Sequence, residues 1–251
     1  MKKLILGIKR IPNLFNGFNL YVNPEKIKLI NKTFSLIDKS KYSFIELGGV
    51  WKVNGAYTKY TCSNYSIEKG YLIDTNFNSK TTKSIQNYPQ IKMINNDFGN
   101  KKLIKSLDKV DVIYFFDILL HQANPDWHEI LLMYSTKARY FVVYNQQLIT
   151  SHKSIRLTDL PIEEYRKVAP DRKDNFYEYV YKHTNEINQE YGKTYKDIHN
   201  IYQWGITDND LRDVMKKIGF SEIFFCENIL SSNHGLKDSF REHSFIFSKN
   251  N

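Results

Sequence analysis

From Ser43 almost to the end of the chain, short apolar runs alternate with stretches in which apolar residues recur every three or four positions. Runs of this kind suit strands buried on both faces, and the 3.6-residue period suits the helices that cover them. The runs predict strands at Ser43–Leu47, Gly70–Asp74, Ile91–Ile94, Val110–Phe116 and Arg139–Tyr144, then at Glu222–Cys226 and Ser244–Phe247. Ahead of them Pro24 opens a helical pattern carried by Ile27, Leu29, Ile30, Phe34 and Ile37, where proline suits the first helical turn. Further helices are predicted from about Pro125 to Ser135 and from Thr207 to Lys217. The latter begins with the cap-like Thr207-Asp208-Asn209-Asp210 and stops at Gly219, the usual place for a terminating glycine.

This rhythm breaks between Thr150 and Gln203, a stretch rich in Tyr, Lys, Asn and Glu that contains Pro161 and Pro170. Helical patches such as Asn175–Lys182 fit either a solvated helical hairpin or a lid over a substrate, since long insertions in compact domains often carry function. The expected organisation is a helical lead-in over residues 1–41 and one α/β core over residues 42–251, with 150–205 as an insertion or lid. Strands alternating with helices call for a mainly parallel sheet with helices on both faces.

Composition narrows the setting. The chain has 251 residues, enough for one sizeable α/β core, and its 41% hydrophobic and 25% charged residues exclude wholesale disorder. A net charge of +9 favours anionic partners. The lysines are spread out, however, with only pairs such as Lys101-Lys102 and Lys216-Lys217, so no nucleic-acid footprint is localised. Two distant cysteines, Cys62 and Cys226, lack metal-site spacing and point to a reduced, cytoplasmic protein. The longest apolar stretch, Val112–Leu120, is broken by Asp117 and is too short to span a bilayer.

Open α/β sheets bind ligands beyond the carboxyl ends of their strands, and three suitable features fall there. Glu46-Leu47-Gly48-Gly49 closes the first strand, where glycine permits a sharp turn and close approach by a ligand. Asp74 ends the second strand, at about the distance expected of an acid that takes two ribose hydroxyls. Asp97 and Phe98 follow the third strand, where a carboxylate or an amide could meet an adenine edge. Each feature alone also fits ordinary turn chemistry; their order along the chain sets them apart.

With these motifs the sequence resembles the class I S-adenosylmethionine-dependent methyltransferases, over nearly the whole span from Phe44 to Phe247. Phe44–Gly48 is similar to their first motif, Tyr71–Asp74 to the ribose-binding strand and Asn96–Phe98 to the adenine-contacting turn. Val110–His121 is similar to the fourth motif, and Leu211–Phe220 to the late helix that ends in Gly-Phe. The resemblance implies a Rossmann-like fold of seven strands, mainly parallel, with an antiparallel C-terminal hairpin. It implies S-adenosylmethionine as cofactor, held by Glu46, Gly48, Gly49, Asp74, Asp97, Phe98 and Phe116. The family's alternating glycines are reduced to Gly48, with Val50 and Lys52 in the later places, and Lys52 could pair with the methionine carboxylate instead.

Methyl transfer needs an acceptor lone pair held against the methyl carbon and, for a hydroxyl or ammonium acceptor, a base. His121, just after the fourth strand, is the candidate base, with Tyr144 beside it on the fifth-strand rim; a structural hydrogen-bonding role fits His121 equally. Tyr57 and Asn145 are candidate substrate contacts, and Arg172, with Arg156 and Arg166, could clamp an anion. Asp117 and His121 share an i, i+4 spacing, but Leu120 fills a ligand place and no metal is expected. The expected activity is methylation of a small polar molecule, phosphate-bearing or sugar-linked, as in bacterial surface-polysaccharide biosynthesis. A non-catalytic adenosyl-binding protein and a nicotinamide oxidoreductase are alternatives. The second lacks G-x-G-x-x-G and has only a loose Tyr/Lys pairing at Tyr177, Tyr181 and Lys182. A nucleic-acid methyltransferase would show Asn/Asp-Pro-Pro-aromatic where Phe116-Asp117-Ile118-Leu119 stands.

Overall fold

The computed structural model describes residues 22–169, 175–190, 192–198, 201–228 and 239–250. Seven strands form the main sheet: β1 (Tyr42–Leu47), β2 (Ile67–Asp74), β3 (Ile91–Asn95), β4 (Val110–Phe116), β5 (Ala138–Leu148), β6 (Phe220–Glu227) and β7 (Phe240–Lys249). Their order is β6-β7-β5-β4-β1-β2-β3. The pairs β1–β2, β2–β3 and β4–β5 are parallel, and β7 runs antiparallel to both β5 and β6. This is the Rossmann-like arrangement expected, with its antiparallel C-terminal pair. The chain divides into two compact units at Phe98/Gly99.

In the first unit, helix α1 (Pro24–Ser35) starts where Asn23 caps the backbone of Glu25 and Pro24 supplies the pre-set φ of a first turn. Its Leu29, Ile30 and Phe34 are buried, the apolar face that the sequence spacing marks. Helices α2 (Ala56–Asn64) and α3 (Ser79–Ile85) follow β1 and β2. Leu72 and Ile73 in β2 and Phe44 and Ile45 in β1 are fully buried, which is why these strands read as continuous apolar runs.

In the second unit, helix α4 (Lys101–Ser106) precedes β4, and α5 (Trp127–Tyr134) follows it behind a capping box of Asp126 and Glu129. Strand β5 runs four residues beyond the predicted Tyr144. Asn145–Leu148 pair with Phe240–His243 of β7, so an amide-rich tail continues the strand where the apolar signal has ended. The stretch after β5 contains helices α6 (Ile162–Val168) and α7 (Asn175–Lys182). It also contains two short antiparallel ribbons, Ile155–Arg156 with Trp204–Gly205 and Ile187–Asn188 with Lys193–Thr194. Its Leu157, Tyr165, Val180, Ile198, Ile201 and Tyr202 are buried in a cluster with Leu120, Leu148 and Phe240. It therefore owns a packed core. Helix α8 (Asp208–Lys217) then leads to Gly219, whose φ of 86° is the left-handed conformation that ends a helix at low cost only for glycine.

Candidate functional site

In the first unit the carboxyl ends of three parallel strands come level. Leu47 pairs with Ile73 and Asp74 with Asn95, and the ladder continues through Gly48 N to Ile73 O (2.8 Å) and Asn96 N to Asp74 O (3.1 Å). Gly48 (φ 67°), Lys52 (φ 60°), Asn54 (φ 48°) and Gly55 (φ 68°) take left-handed conformations in the turn between β1 and α2. Hydrogen bonds from Asn54 N to Val50 O and from Gly55 N to Gly49 O, each 2.8 Å, close it. The turn is fastened to β2 by Asp74: Oδ2 accepts from Val50 N and Oδ1 from Asn76 N, both at 3.0 Å. Burial pushes the Asp74 carboxyl up from its ordinary value, and these amides oppose the shift.

Glu46 lies beneath this turn, fully buried, and accepts a hydrogen bond from the Thr58 hydroxyl of α2. Burial raises its pKa to about 7, against the pull of Thr58 and of the Lys26 ammonium. Gly49 is fixed here by contact: a Cβ at this position would stand 2.3 Å from Glu46 Oε1. The structure thus brings Glu46, Gly48, Gly49 and Asp74 into one network, with half-buried Asp97 and Phe98 directly after the Asn96 that bonds to Asp74. Lys52 places its ammonium 4.1 Å from the centroid of the exposed Trp51 ring. Tyr57 is buried on α2, and its hydroxyl accepts from Asn23 N at 3.0 Å, anchoring the start of α1. Lys26, which the sequence reading passed over, is itself buried and lies 5.4 Å from the Tyr57 ring; only folding reveals its proximity to Glu46.

In the second unit Phe116 ends β4, buried and stacked on Tyr114 at 5.0 Å. The next residue, Asp117, takes φ 55° and donates its amide to Tyr144 O (2.8 Å). A single 3-10 turn, Leu119–His121, then presents His121, whose Nδ1 lies 2.8 Å from Ile201 O and whose ring packs 5.0 Å from that of Tyr202. A carbonyl oxygen can only accept, so Nδ1 carries the proton in this contact. Tyr144 is fully buried and donates its hydroxyl to Glu242 Oε2 on β7 at 2.5 Å.

Asn145, also fully buried, donates to Gln146 O at 3.2 Å and stands opposite His243 in the β5–β7 register. His243 faces both oxygens of Asp208 at the start of α8, at 3.0 Å each. This pair was not legible in the sequence, because residues 208 and 243 meet only through the β5–β7 pairing. Arg156 is paired with Asp197 (2.5 Å), and Arg166 with Glu163 and Glu178 (2.8 and 2.5 Å), so both are engaged within their own stretch. Arg172 lies outside the described residues. Tyr181, from the oxidoreductase alternative, donates to Leu157 O at 3.3 Å. Among the described residues no group of three or more His, Cys, Asp or Glu could hold a metal ion, and no helix is long and apolar enough to cross a membrane.

The fold is that of the class I S-adenosylmethionine-dependent methyltransferases. One similar solved structure is an O-methyltransferase family protein from Burkholderia thailandensis (TM-score 0.55, 10% identity), matched over 90% of this chain and 55% of that one. This chain therefore spans about half the length of that protein. A second is 1,6-didemethyltoxoflavin-N1-methyltransferase from the same organism, solved with 1,6-didemethyltoxoflavin and S-adenosylhomocysteine (0.55, 9%, 89% and 79% covered). A third is magnesium protoporphyrin IX methyltransferase from Synechocystis PCC 6803 with bound S-adenosylmethionine (0.52, 9%, 90% and 79%). No protein-family model matches the chain, and no curated protein matches it in sequence.

Proposed function

We propose that this protein is an S-adenosylmethionine-dependent methyltransferase acting on a small polar molecule. The observation that carries the reading is the level edge of β1, β2 and β3, where Asp74 ties the Gly48–Gly55 turn to the strand ends and Glu46 lies beneath it. The donor set fits the cofactor. The Asp74 carboxylate, oriented by the backbone amides of Val50 and Asn76, is assigned to the ribose hydroxyls. Glu46 is assigned to the α-ammonium and Lys52 to the α-carboxylate. Asp97 and Phe98 are assigned to the adenine, and Phe116 to the cofactor edge of β4.

Bound there, the cofactor supplies an electrophilic methyl group on a sulfonium. His121, whose Nδ1 is held by Ile201 O, is assigned as the base that takes the proton of a hydroxyl or ammonium acceptor. Tyr144, held by Glu242, and Asn145 are assigned to orienting the acceptor. The net charge of +9 favours a phosphate-bearing or sugar-linked acceptor, such as an intermediate of surface-polysaccharide biosynthesis. Two unpaired cysteines suit a cytoplasmic setting. Residues 42–251 make up the catalytic core, with 150–205 as an inserted cap on the acceptor side.

Transfer of label from methyl-tritiated S-adenosylmethionine to a panel of nucleotide-activated sugars and phosphorylated metabolites tests this reading. At least one acceptor should be labelled. His121→Ala should lower kcat by about 10²–10⁴-fold while cofactor affinity holds. The single family glycine, with Val50 and Lys52 in the later places, favours a second reading as an adenosyl-binding protein without turnover. Saturable cofactor binding with no labelled acceptor would support that one.

A further inference from the structure

The hydrogen bond that sets the His121 tautomer comes from a segment far along the chain, and one buried side chain holds that segment in place. Gln203 is fully buried, and all its polar groups are engaged. Its N donates to Leu120 O (2.9 Å), in the same 3-10 turn as His121, and its O accepts from Leu157 N (2.8 Å). Its Oε1 accepts from the Thr158 hydroxyl (3.1 Å), while its Nε2 donates to Lys196 O (2.7 Å) and Ile198 O (2.8 Å). Tyr202, between Gln203 and the carbonyl of Ile201, accepts from the Tyr165 hydroxyl at 3.2 Å and packs its ring against His121. An amide bonded at both ends cannot rotate without stranding buried partners, so it pins the chain around it.

We propose that Gln203 is a positioning residue that fixes the tautomer of His121 through the carbonyl of Ile201. Its catalytic meaning rests on His121 as the proton acceptor; the tautomer itself does not. With the 201–203 segment held, a proton stays on Nδ1. Once the segment loosens, the proton is free to move to Nε2, and a protonated Nε2 cannot take the acceptor's proton. A histidine base held in the wrong tautomer loses up to about 10⁴ in rate in the Ser-His-Asp proteases, so this term is large enough to detect.

The test is nitrogen-15 NMR of the full chain with labelled histidine, which distinguishes the two neutral tautomers by their ring-nitrogen shifts. His121→Gln identifies the His121 signals among the 7 histidines. The wild type should show His121 protonated on Nδ1, and Gln203→Met a mixture of tautomers. Gln203→Met should also lower kcat by about tenfold or more at unchanged cofactor affinity. Thr158→Val removes one of the Gln203 bonds and should shift the spectrum in the same direction by less. A wild-type His121 protonated on Nε2, or an unchanged tautomer in Gln203→Met, overturns the proposal. Should Gln203→Met not fold, Thr158→Val decides, and an unchanged His121 signal there overturns it. If the tautomer responds but His121→Gln retains full methyl transfer, the base reading falls while the positioning role of Gln203 stands.

Discussion

A carboxyl group sealed away from water stays neutral until the pH forces it to ionise, and Glu46 is in that position. Held near pKa 7 by burial, it makes its full stabilising contribution below its ordinary value of 4.5 and loses it as the pH rises through about 7. The difference between the two values corresponds to a cost on the order of 3 kcal/mol once it is ionised. Glu46→Gln keeps an acceptor for the Thr58 hydroxyl and has no charge to bury. The cofactor-free variant should therefore be more stable than the wild type above about pH 7, by up to about 3 kcal/mol, with the gap closing toward about pH 5. Urea unfolding across that range checks this. The same dry surroundings, and secondarily Glu46 itself, push the Cys62 thiol up to about 12, too high for a thiolate nucleophile at neutral pH.

At this scale the sequence showed where acids and glycines stand but not what they touch. Glu46, Gly48, Gly49 and Asp74 were legible because strand ends are readable. That Gly49 abuts the Glu46 carboxylate, and that the Tyr57 hydroxyl anchors α1, depends on packing between segments.

Elements follow from local signals where their stabilising contacts are local. Helix α8 starts where the sequence places it because Thr207 Oγ1 accepts from Asp210 N (3.3 Å) and acidic residues fill the first turn. The same cap is tied to the stretch after β5: Thr207 N donates to Ser154 Oγ (3.0 Å), and Ser154 N donates to Asp210 Oδ2 (2.5 Å). Thr207→Ala should cost about 1 kcal/mol, seen as a fall of roughly 2–4 °C in Tm, although alanine has the better helix propensity. Elements built on distant partners were less legible. The tail of β5 reads as polar until its pairing with β7 is known. The core of residues 150–205 disperses its apolar residues over short pieces and completes itself with Leu120, Leu148 and Phe240 from elsewhere in the chain.

For the whole molecule, the alternation of strands and helices was enough to reach the sheet, because parallel strands buried on both faces leave an apolar signature that needs no partner to be read. Composition added that a net charge of +9 should draw anionic ligands. The account depends most on one statement, that the edge formed by Glu46, the Gly48–Gly55 turn and Asp74 takes an adenosyl sulfonium ligand. Titration calorimetry of the intact chain with S-adenosylhomocysteine tests it directly, with NAD as the control and Asp74→Asn as the variant. Saturable one-to-one binding, no heat with NAD, and an affinity at least about tenfold weaker in Asp74→Asn are expected, the loss of one charge-assisted hydrogen-bond pair to the ribose. No heat with S-adenosylhomocysteine or S-adenosylmethionine, or equal binding by Asp74→Asn, would contradict it.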